Sequence, residues 1–469
     1  MDSITDLISL VLSNVWLYGG SFLLVLSILV IVHEWGHFAV ARLCGVKVEE
    51  FAVGFGRELF GYTDPRTGTR WKVCLLPIGG YVKMFGDADP AGAGKTENVA
   101  EGGDTNVVRP MTIDERKQAF FSKNVAQRAA VVVAGPAVNF IFAIMLLTGL
   151  FMTQGKEIVP PVASGVHVGS AGDIAKIQPG DRILAIDGQP IESFDDLRRH
   201  VMLALDTPMT LTIKRDDQEI AQIVTPKRLE LTDRFGFTHE RGYLGVLGPT
   251  NGFDIKSIAK VDGIDTGKDV DKTRALLAER IGKGPFRIVL EGGKDLDEVV
   301  VNPRADMNAE MGVEGSKKYN ALILSQTEAK EYRKFGLFAG TIEAATQTWK
   351  ITRESLYALW QMVTGVRSAT ELGGVIRIGT MAGDMANAGI IALITFTALL
   401  SINLGLINLF PIPMLDGGHL MFYGIEALRG KPVPDRIQEY AFRLGFVTLV
   451  FLMVFSNLND VLHLILKNV

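Results

Sequence analysis

The sequence predicts a polytopic α-helical membrane protein with four transmembrane helices, a membrane-associated β-element and extracytoplasmic α+β modules. Three observations support this fold class. Four apolar stretches are each long enough to cross a hydrocarbon core of about 30 Å. A glycine-rich segment of alternating residues follows the first stretch, and a polar region between the second and third repeats one strand and helix pattern. Mean hydropathy is +0.23 although 21% of residues are charged, which is high for a soluble protein.

The apolar stretches run over residues 15–41, 129–152, 385–410 and 444–466. The second and third contain no charged residue, and Asp460 lies near the end of the fourth. The N-terminus carries acidic residues and no Lys or Arg before Arg42, unlike a cleavable signal peptide. We therefore expect the first helix to be retained.

Basic residues predict the orientation of these helices. They cluster in the connection between the first and second helices and in the one between the third and fourth, at Arg42, Lys47, Lys117, Lys123 and Arg128 and at Arg429, Lys431, Arg436 and Arg443. Positively charged connections stay in the cytoplasm, so both termini and the long region 153–384 are expected on the opposite side. A net charge of -4 with no long basic run excludes a nucleic-acid partner.

A metal-binding signature lies inside the first apolar stretch, at His33-Glu34-Trp35-Gly36-His37. Two histidines four residues apart present both imidazoles on one face of a helix, and the intervening glutamate can act as a general base. Ionisable groups in a membrane helix are costly and are seldom kept without a role. The motif lies about 26 Å along the helix from Trp16, which places it in the cytoplasmic half of the membrane.

A catalytic zinc ion needs a third protein ligand and one open position. The second span offers no ionisable residue, and the third offers none before the segment that begins at Asn408 and contains Asp416 and His419. Either residue can serve chemically. Pro411 and Pro413 prevent a regular helix here, and irregular backbone at membrane depth must be buried in protein or face a water-filled cavity.

The region between the second and third spans contains one pattern twice. Strand residues ending in Asp187-Gly188 precede a helix and two strands, and the same order recurs after Asp262-Gly263. The first copy also carries Gln178-Pro-Gly-Asp-Arg182 and resembles the PDZ domain. The second copy lacks this lead and is PDZ-like. We assign residues 158–229 and 240–306 to the two modules; a spacer without a ligand is the alternative.

The remaining regions receive assignments from pattern and composition. Residues 1–45 contain the first helix, 46–86 are predicted as short strands of a re-entrant β-element, and 87–124 as a cytoplasmic linker, flexible over 87–109. Residues 125–153 contain the second helix, 330–383 an amphipathic interfacial helix region, and 384–469 the third and fourth helices. The β-element either offers an edge to an extended peptide or only plugs the membrane face.

Three motifs together resemble the site-2 proteases, a family of intramembrane zinc metalloproteases. They are the HExxH of the first span, Ala134-Gly-Pro-Ala-Val-Asn139 in the second, and the Asn-x-x-Pro-x-Pro-x-Leu-Asp-Gly run that begins at Asn408. Gly80-Tyr-Val-Lys-Met84 and Asn124-Val-Ala-Gln-Arg128 add to the resemblance, which covers nearly the whole chain. In one departure, Val375 stands where the family tends to have proline.

The resemblance implies a function and a site. It implies Zn2+ held by His33, His37 and Asp416, with Glu34 as the catalytic base. It also implies substrate contacts at Asn408, Pro411 and Pro413 and at Gly80, Tyr81 and Val82. The expected reaction is hydrolysis of a peptide bond in a transmembrane segment of a single-span protein, of the anti-sigma factor type, after a first-site cleavage. The expected location is the bacterial inner membrane, with the PDZ modules periplasmic.

Two other functions are compatible with parts of the sequence. A metal or proton transporter would need ionisable residues along its spans, but the second and third spans carry asparagines and hydroxyls before Asp416. A non-catalytic membrane scaffold that binds peptides through PDZ modules would have no use for Glu34.

Overall fold

The computed structural model describes residues 16–86, 98–101, 104–232, 238–249, 251–291, 298–313, 320–324 and 331–466. The chain divides into two compact units. One contains Met1–Met152, Gly336–Leu356 and Leu372–Val469, and the other contains Thr153–Phe335 and Tyr357–Glu371. The N-terminal tail and much of the predicted flexible segment, including residues 87–97, lie outside the described residues.

The N-terminal part of the chain contains a helix, a long hairpin, a short hairpin and two further helices. A π-helical turn at Trp16–Gly20 leads into the first helix, and a 3-10 turn at Phe120–Ser122 precedes the last. In order the elements are α1 (Ser21–Leu43), β1 (Val48–Thr63), β2 (Arg70–Met84), β3 (Asn98–Glu101), β4 (Asp104–Pro110), α2 (Ile113–Gln118) and α3 (Val125–Thr153). The described part of the predicted linker 87–124 forms a hairpin and a helix capped by Thr112 and Glu115.

The middle part of the chain is built mainly from antiparallel strands. Its elements are β5 (Lys156–Ile158), β6 (Gly165–His167), α4 (Ala171–Ile174), β7 (Arg182–Ile186), β8 (Gln189–Pro190), α5 (Phe194–Leu203), β9 (Met209–Arg215), β10 (Gln218–Val224), β11 (Lys227–Thr232), β12 (Thr238–Tyr243), β13 (Val246–Leu247), β14 (Gly252–Asp254), β15 (Ile258–Val261), β16 (Ile264–Asp265), α6 (Val270–Arg280), β17 (Phe286–Leu290), β18 (Glu298–Val301), β19 (Ala321–Ile323) and β20 (Glu331–Arg333).

The C-terminal part of the chain is helical. Its elements are α7 (Leu337–Val363), α8 (Val375–Ala388), α9 (Ile390–Asn408), α10 (Asp416–Arg429) and α11 (Asp435–Leu466). Within the described residues, four helices are long and apolar enough to cross a membrane: Leu17–Leu43, Val125–Thr153, Ile390–Asn408 and Asp435–Leu462. The predicted number of spans is confirmed. The third begins at Ile390 rather than at 385, because Gly389 has φ +113° and separates α9 from α8.

The β-element consists of two long strands rather than the predicted short ones. The first part of β1, Val48–Val53, pairs on one side with Gly80–Met84 and on the other with Arg70–Val73. The chain bends where Gly54, Gly56 and Gly79 adopt positive φ. Gly80–Met84 is therefore an outer strand, and no other strand of the described chain pairs with its free edge.

The repeated pattern of the second unit gives two equivalent hairpins. The Asp-Gly pairs 187–188 and 262–263 form two-residue turns with positive φ at both positions, as a type I′ turn requires. In each copy the aspartate side chain accepts an N–H from a neighbouring strand, that of Thr210 at 2.7 Å or Arg287 at 2.9 Å. The same turn and the same side-chain hydrogen bond thus occur in both modules.

The two modules are joined through one sheet. Strand β6, from the first predicted module, pairs with β18 of the second, within a six-stranded sheet of order β13-β6-β18-β17-β15-β16. A separate four-stranded sheet of order β10-β9-β7-β8 belongs to the first module. The sequence predicts two modules but not this shared sheet, because pairing across modules leaves no local signal.

The start of α8 shows how the chain accommodates Val375. Asp460, fully buried in α11, accepts the N–H groups of Gly374 and Arg377, each at 3.0 Å. A proline at position 375 would have no N–H to satisfy, whereas the N–H of Val375 donates to Asn457 Oδ1 at 3.2 Å. Side chains of α11, the fourth span, therefore accept the N–H groups at the start of α8.

Candidate metal centre

The two histidines of the HExxH motif lie on the buried face of α1. His33 and His37 are each 8% exposed, and their Nε2 atoms are 3.2 Å apart. The helical spacing of four residues produces this juxtaposition. Two ring nitrogens thus converge on one point.

A close approach between α1 and α3 positions these rings. A side chain at Gly36 would place its Cβ 2.5 Å from Ala134 O, and one at Gly135 would overlap the His37 ring and lie 2.9 Å from His33 Cε1. Both positions therefore require glycine for steric reasons. The Ala134-Gly135 pair forms the surface against which the imidazoles pack.

Groups on α3 and α9 orient the imidazoles. His37 Nδ1 donates to Val131 O at 2.9 Å, which leaves the His37 Nε2 lone pair available for a metal. The fully buried Asn139 side chain lies 3.1 Å from His33 Nδ1, and Ser401 donates to Asn139 O at 2.8 Å. Asn139 belongs to the motif of the second span but was not predicted as a site residue; the signal that could have indicated it is a single amide side chain in an apolar span.

Asp416 completes the cluster from the N-terminus of α10. The chain leaves α9 at Asn408 and runs irregularly to residue 415, with Met414 at φ +85°. This path brings Asp416 Oδ2 to 3.2 Å from His33 Nε2 and Asp416 Oδ1 to 3.6 Å from His37 Nε2. His33, His37 and Asp416 form a group that can hold a metal ion.

The spacing and hydrogen bonding of this group fit zinc. Ligands about 2.0–2.1 Å from a tetrahedral zinc ion lie roughly 3.3 Å from one another, close to the three separations observed. Asp416 Oδ2 is buried and, among the described residues, accepts no aligned hydrogen bond. Asn139 Oδ1 is likewise buried without a partner. If the side-chain amide of Asn139 were rotated by about 180°, its oxygen would accept a hydrogen bond from His33 Nδ1 and leave His33 Nε2 free for a metal.

The alternative third ligand, His419, occupies a different position. It lies one turn further along α10, with its ring 5.1 Å from that of Phe442. It lines the same cavity as the cluster without being part of the group that can hold a metal. The geometry thus favours Asp416.

A cavity of about 540 Å³ opens onto this cluster. Its lining includes Glu34, Asn408 and the outer-strand residues Gly80, Tyr81 and Val82. The structure thus brings these predicted residues to one site. Pro411 and Pro413, for which the resemblance implies substrate contacts, are not in this lining.

The two prolines lie in the irregular segment instead. Pro413 packs against backbone: a Cβ on Gly418 would lie 2.7 Å from Pro413 Cα, and one on Gly445 would overlap Pro413 O. This packing fixes the turn that precedes Asp416.

Comparison with known proteins identifies the family. The sequence model of peptidase family M50 matches residues 21–452. The chain belongs to peptidase family M50. It is a zinc metallo-endopeptidase of the site-2 protease type, as the sequence resemblance implied.

Relatives of this M50 peptidase match over almost their whole length. A candidate zinc metalloprotease of Agrobacterium fabrum is 36% identical over 444 residues, which are 95% of each chain. Another from Rhizobium meliloti is 36% identical over 453 residues, covering 97% of this chain and 98% of the relative. The regulator of sigma-E protease of Salmonella typhimurium is 32% identical over 471 aligned positions, covering 94% and 97% respectively.

The Gly135 contact leads to a prediction. Gly135→Ala should abolish peptidase activity and strongly reduce bound zinc, because the added methyl overlaps the His37 ring. Gly149→Ala is the matched control in the same helix, since nothing lies within 4 Å of its Cβ position. Zinc content and cleavage by the two purified variants measure this difference. Normal zinc and activity in Gly135→Ala would contradict the described packing.

Proposed function

We propose that this M50 peptidase cleaves peptide bonds within or beside the transmembrane segment of single-span membrane proteins. In this proposal His33, His37 and Asp416 hold zinc, and Glu34 is the catalytic base. The observation that carries the proposal is one cavity, among apolar helices, that contains the three-residue cluster, Glu34 and a free strand edge.

The chemistry follows from the groups in this cavity. Zinc would polarise the scissile carbonyl and acidify the attacking water. Glu34 takes a proton from that water as its oxygen bonds to the carbonyl carbon, then delivers the proton to the departing amine as the C–N bond breaks. The Glu34 side chain lies beside the outer strand, because a Cβ on Gly80 would be 3.6 Å from Glu34 Cγ.

A helical substrate must unwind before this reaction. Its carbonyls are occupied by intrahelical hydrogen bonds, which cannot be left unpaired in a membrane. The outer edge of Gly80–Met84, with which no other strand of the described chain pairs, offers replacement backbone partners through strand addition. The absence of a side chain at Gly80 lets an added strand approach Glu34 closely.

Asn408 is suited to a second contact with the opened strand. It is the last residue of α9 and lines the cavity. Its amide can donate to and accept from backbone groups. In this proposal Pro411 and Pro413 act indirectly, by shaping the segment between Asn408 and Asp416.

The role of Glu34 is tested by Glu34→Gln in the full-length protein. Cleavage of a transmembrane substrate should fall about 10²–10⁴-fold, because the base is lost. Bound zinc should stay at about one per chain, because Glu34 is not a ligand in this proposal. Glu58→Gln is the control and should keep full activity, since Glu58 is a half-buried glutamate of the β-element whose partner is Arg70. Substantial cleavage by Glu34→Gln would end the proposed mechanism.

Strand addition predicts a crosslinking pattern. With Cys44 and Cys74 replaced by alanine in the Glu34→Gln background, Tyr81→Cys should form disulfides with every second position of a cysteine-scanned substrate, since side chains alternate along a strand. Tyr62→Cys should form few, because Tyr62 pairs with Trp71 in the last part of β1, at the other edge of the β-element. Crosslinks repeating every three or four positions would show that the substrate stays helical.

The Asn408 contact is tested in the same assay. Asn408→Ala should reduce Tyr81→Cys crosslinking to a leucine-rich transmembrane helix more than to one with central Gly or Pro, because the latter is already partly unwound. Equal reduction for both substrates would contradict a role in holding the opened strand.

The extramembrane modules support a narrower substrate class. Helix α5 of the first module and the segment Arg241–Val246, at the start of the second, line a cavity of about 460 Å³, as expected of a PDZ groove that receives a peptide end. We infer that residues 158–229 form a PDZ module and residues 240–306 a PDZ-like module, and that they read or size-select substrates already shortened by a first protease. Anti-sigma factors are the proposed class, in keeping with the regulator of sigma-E protease among the relatives.

The proposed location is the bacterial inner membrane, with both termini and the modules in the periplasm. Cysteine labelling of intact cells tests this orientation. A reagent that does not cross membranes should label Asp216→Cys in the first module and miss Asp114→Cys in α2. Labelling of Asp114→Cys alone would invert the proposed topology.

A further inference from the structure

Arg128 lies in the first turn of α3, at the end of the Asn124-Val-Ala-Gln127-Arg128 motif. Asn124 and Gln127 start the helix with reciprocal bonds: Asn124 Oδ1 accepts the Gln127 N–H at 2.8 Å, and Gln127 Oε1 accepts the Asn124 N–H at 3.4 Å. This resembles a capping box. Starting the helix therefore accounts for Asn124 and Gln127 but not for Arg128.

The Arg128 side chain makes three contacts, two of which connect α3 with α10. Its terminal nitrogen donates to Glu426 Oε1 at 2.6 Å, and its Nε–H donates to Lys123 O at 3.1 Å. The guanidinium carbon lies 4.8 Å from the centre of the Tyr423 ring. The Arg128 and Glu426 side chains are only 13% and 15% exposed. A planar guanidinium can make these contacts together, whereas a lysine ammonium cannot.

One face of α10 links this ion pair to the metal cluster. Asp416, His419, Tyr423 and Glu426 follow one another at spacings of three and four residues and so share a face. Asp416 and Glu426 are about 15 Å apart along the helix. The helix thus presents a metal-binding carboxylate at one end and a fixed ion pair near the other.

The partner helix α3 also supports the two histidines. Val131 O accepts from His37, and Asn139 contacts His33. The Arg128–Glu426 pair therefore ties α10 to the same helix that orients the imidazoles.

We propose that the Arg128–Glu426 pair is a positioning device for the metal centre. It fixes the rotation and axial position of α10, so that Asp416 stays within coordination distance of His33 and His37. Neither member of the pair belongs to the cavity lining. This inference rests on the proposed function, in which His33, His37 and Asp416 are the zinc ligands. It adds Arg128 and Glu426 as residues that keep Asp416 in position.

The test measures zinc affinity by chelator competition in the full-length protein in detergent. Arg128→Ala should weaken zinc binding by about tenfold or more, with Glu426→Gln showing a smaller loss and Arg128→Lys recovering little. The double variant Arg128→Ala/Asp416→Ala should bind zinc no more weakly than Asp416→Ala alone, because Arg128 acts through Asp416. Glu439→Gln disrupts an exposed pair with Arg443, 62% and 70% exposed, and should change nothing.

The outcomes distinguish a failure of the positioning role from a failure of the proposed ligand set. Unchanged zinc affinity in Arg128→Ala, or losses that add in the double variant, would overturn the positioning role while leaving the ligand set intact. Unchanged affinity in Asp416→Ala would overturn the ligand set itself, and this inference with it. If Arg128→Ala fails to fold, Glu426→Gln, which preserves shape, provides the same double-variant comparison.

Discussion

Where α1 and α3 cross, their backbones approach so closely that neither Gly36 nor Gly135 has room for a side chain. The geometry of the site depends on this contact. It presses both imidazoles against α3, where Val131 O and Asn139 set their orientation. A larger residue at either glycine would separate the helices, and two histidines at the correct helical spacing would then lack the groups that fix their tautomers.

The position of Asp416, the proposed third ligand, depends on a different kind of constraint. The segment between α9 and α10 has irregular backbone at the depth of apolar helices, where unpaired peptide groups are costly. Pro411 and Pro413 each remove one N–H that would need a partner. The packing of Pro413 against Gly418 and Gly445 then holds the turn. Asp416 is delivered to the histidines by this segment and kept there, in our proposal, by the contact between α10 and α3.

Local features of the sequence predicted much of this structure. The helical spacing of His33 and His37, the four apolar stretches and the order of strands and helix within each repeat each depend on residues close together in the chain. The local sequence could not decide which of Asp416 and His419 is the ligand, because both follow the same irregular segment and lie about one helical turn apart. The choice between them depends on how α10 packs against α1 and α3.

Features created by distant contacts were missed or predicted only in outline. Asn139 reads as an isolated amide until α3 is placed against His33. The β-element was expected as short strands, since the bends at Gly54 and Gly79 interrupt the alternation of what are two long strands. The sheet that joins β6 to β18 leaves no trace in either segment alone. In each case a pairing across the chain decides the structure.

The central claim is that two histidines and Asp416, without His419, hold the metal. X-ray absorption at the zinc edge of the full-length protein in detergent measures the ligands directly. We expect two imidazoles with zinc–nitrogen distances of about 2.0–2.1 Å, together with oxygen ligands, and the same spectrum in His419→Ala. A spectrum with three imidazoles, reduced to two by His419→Ala, would contradict this account of the site.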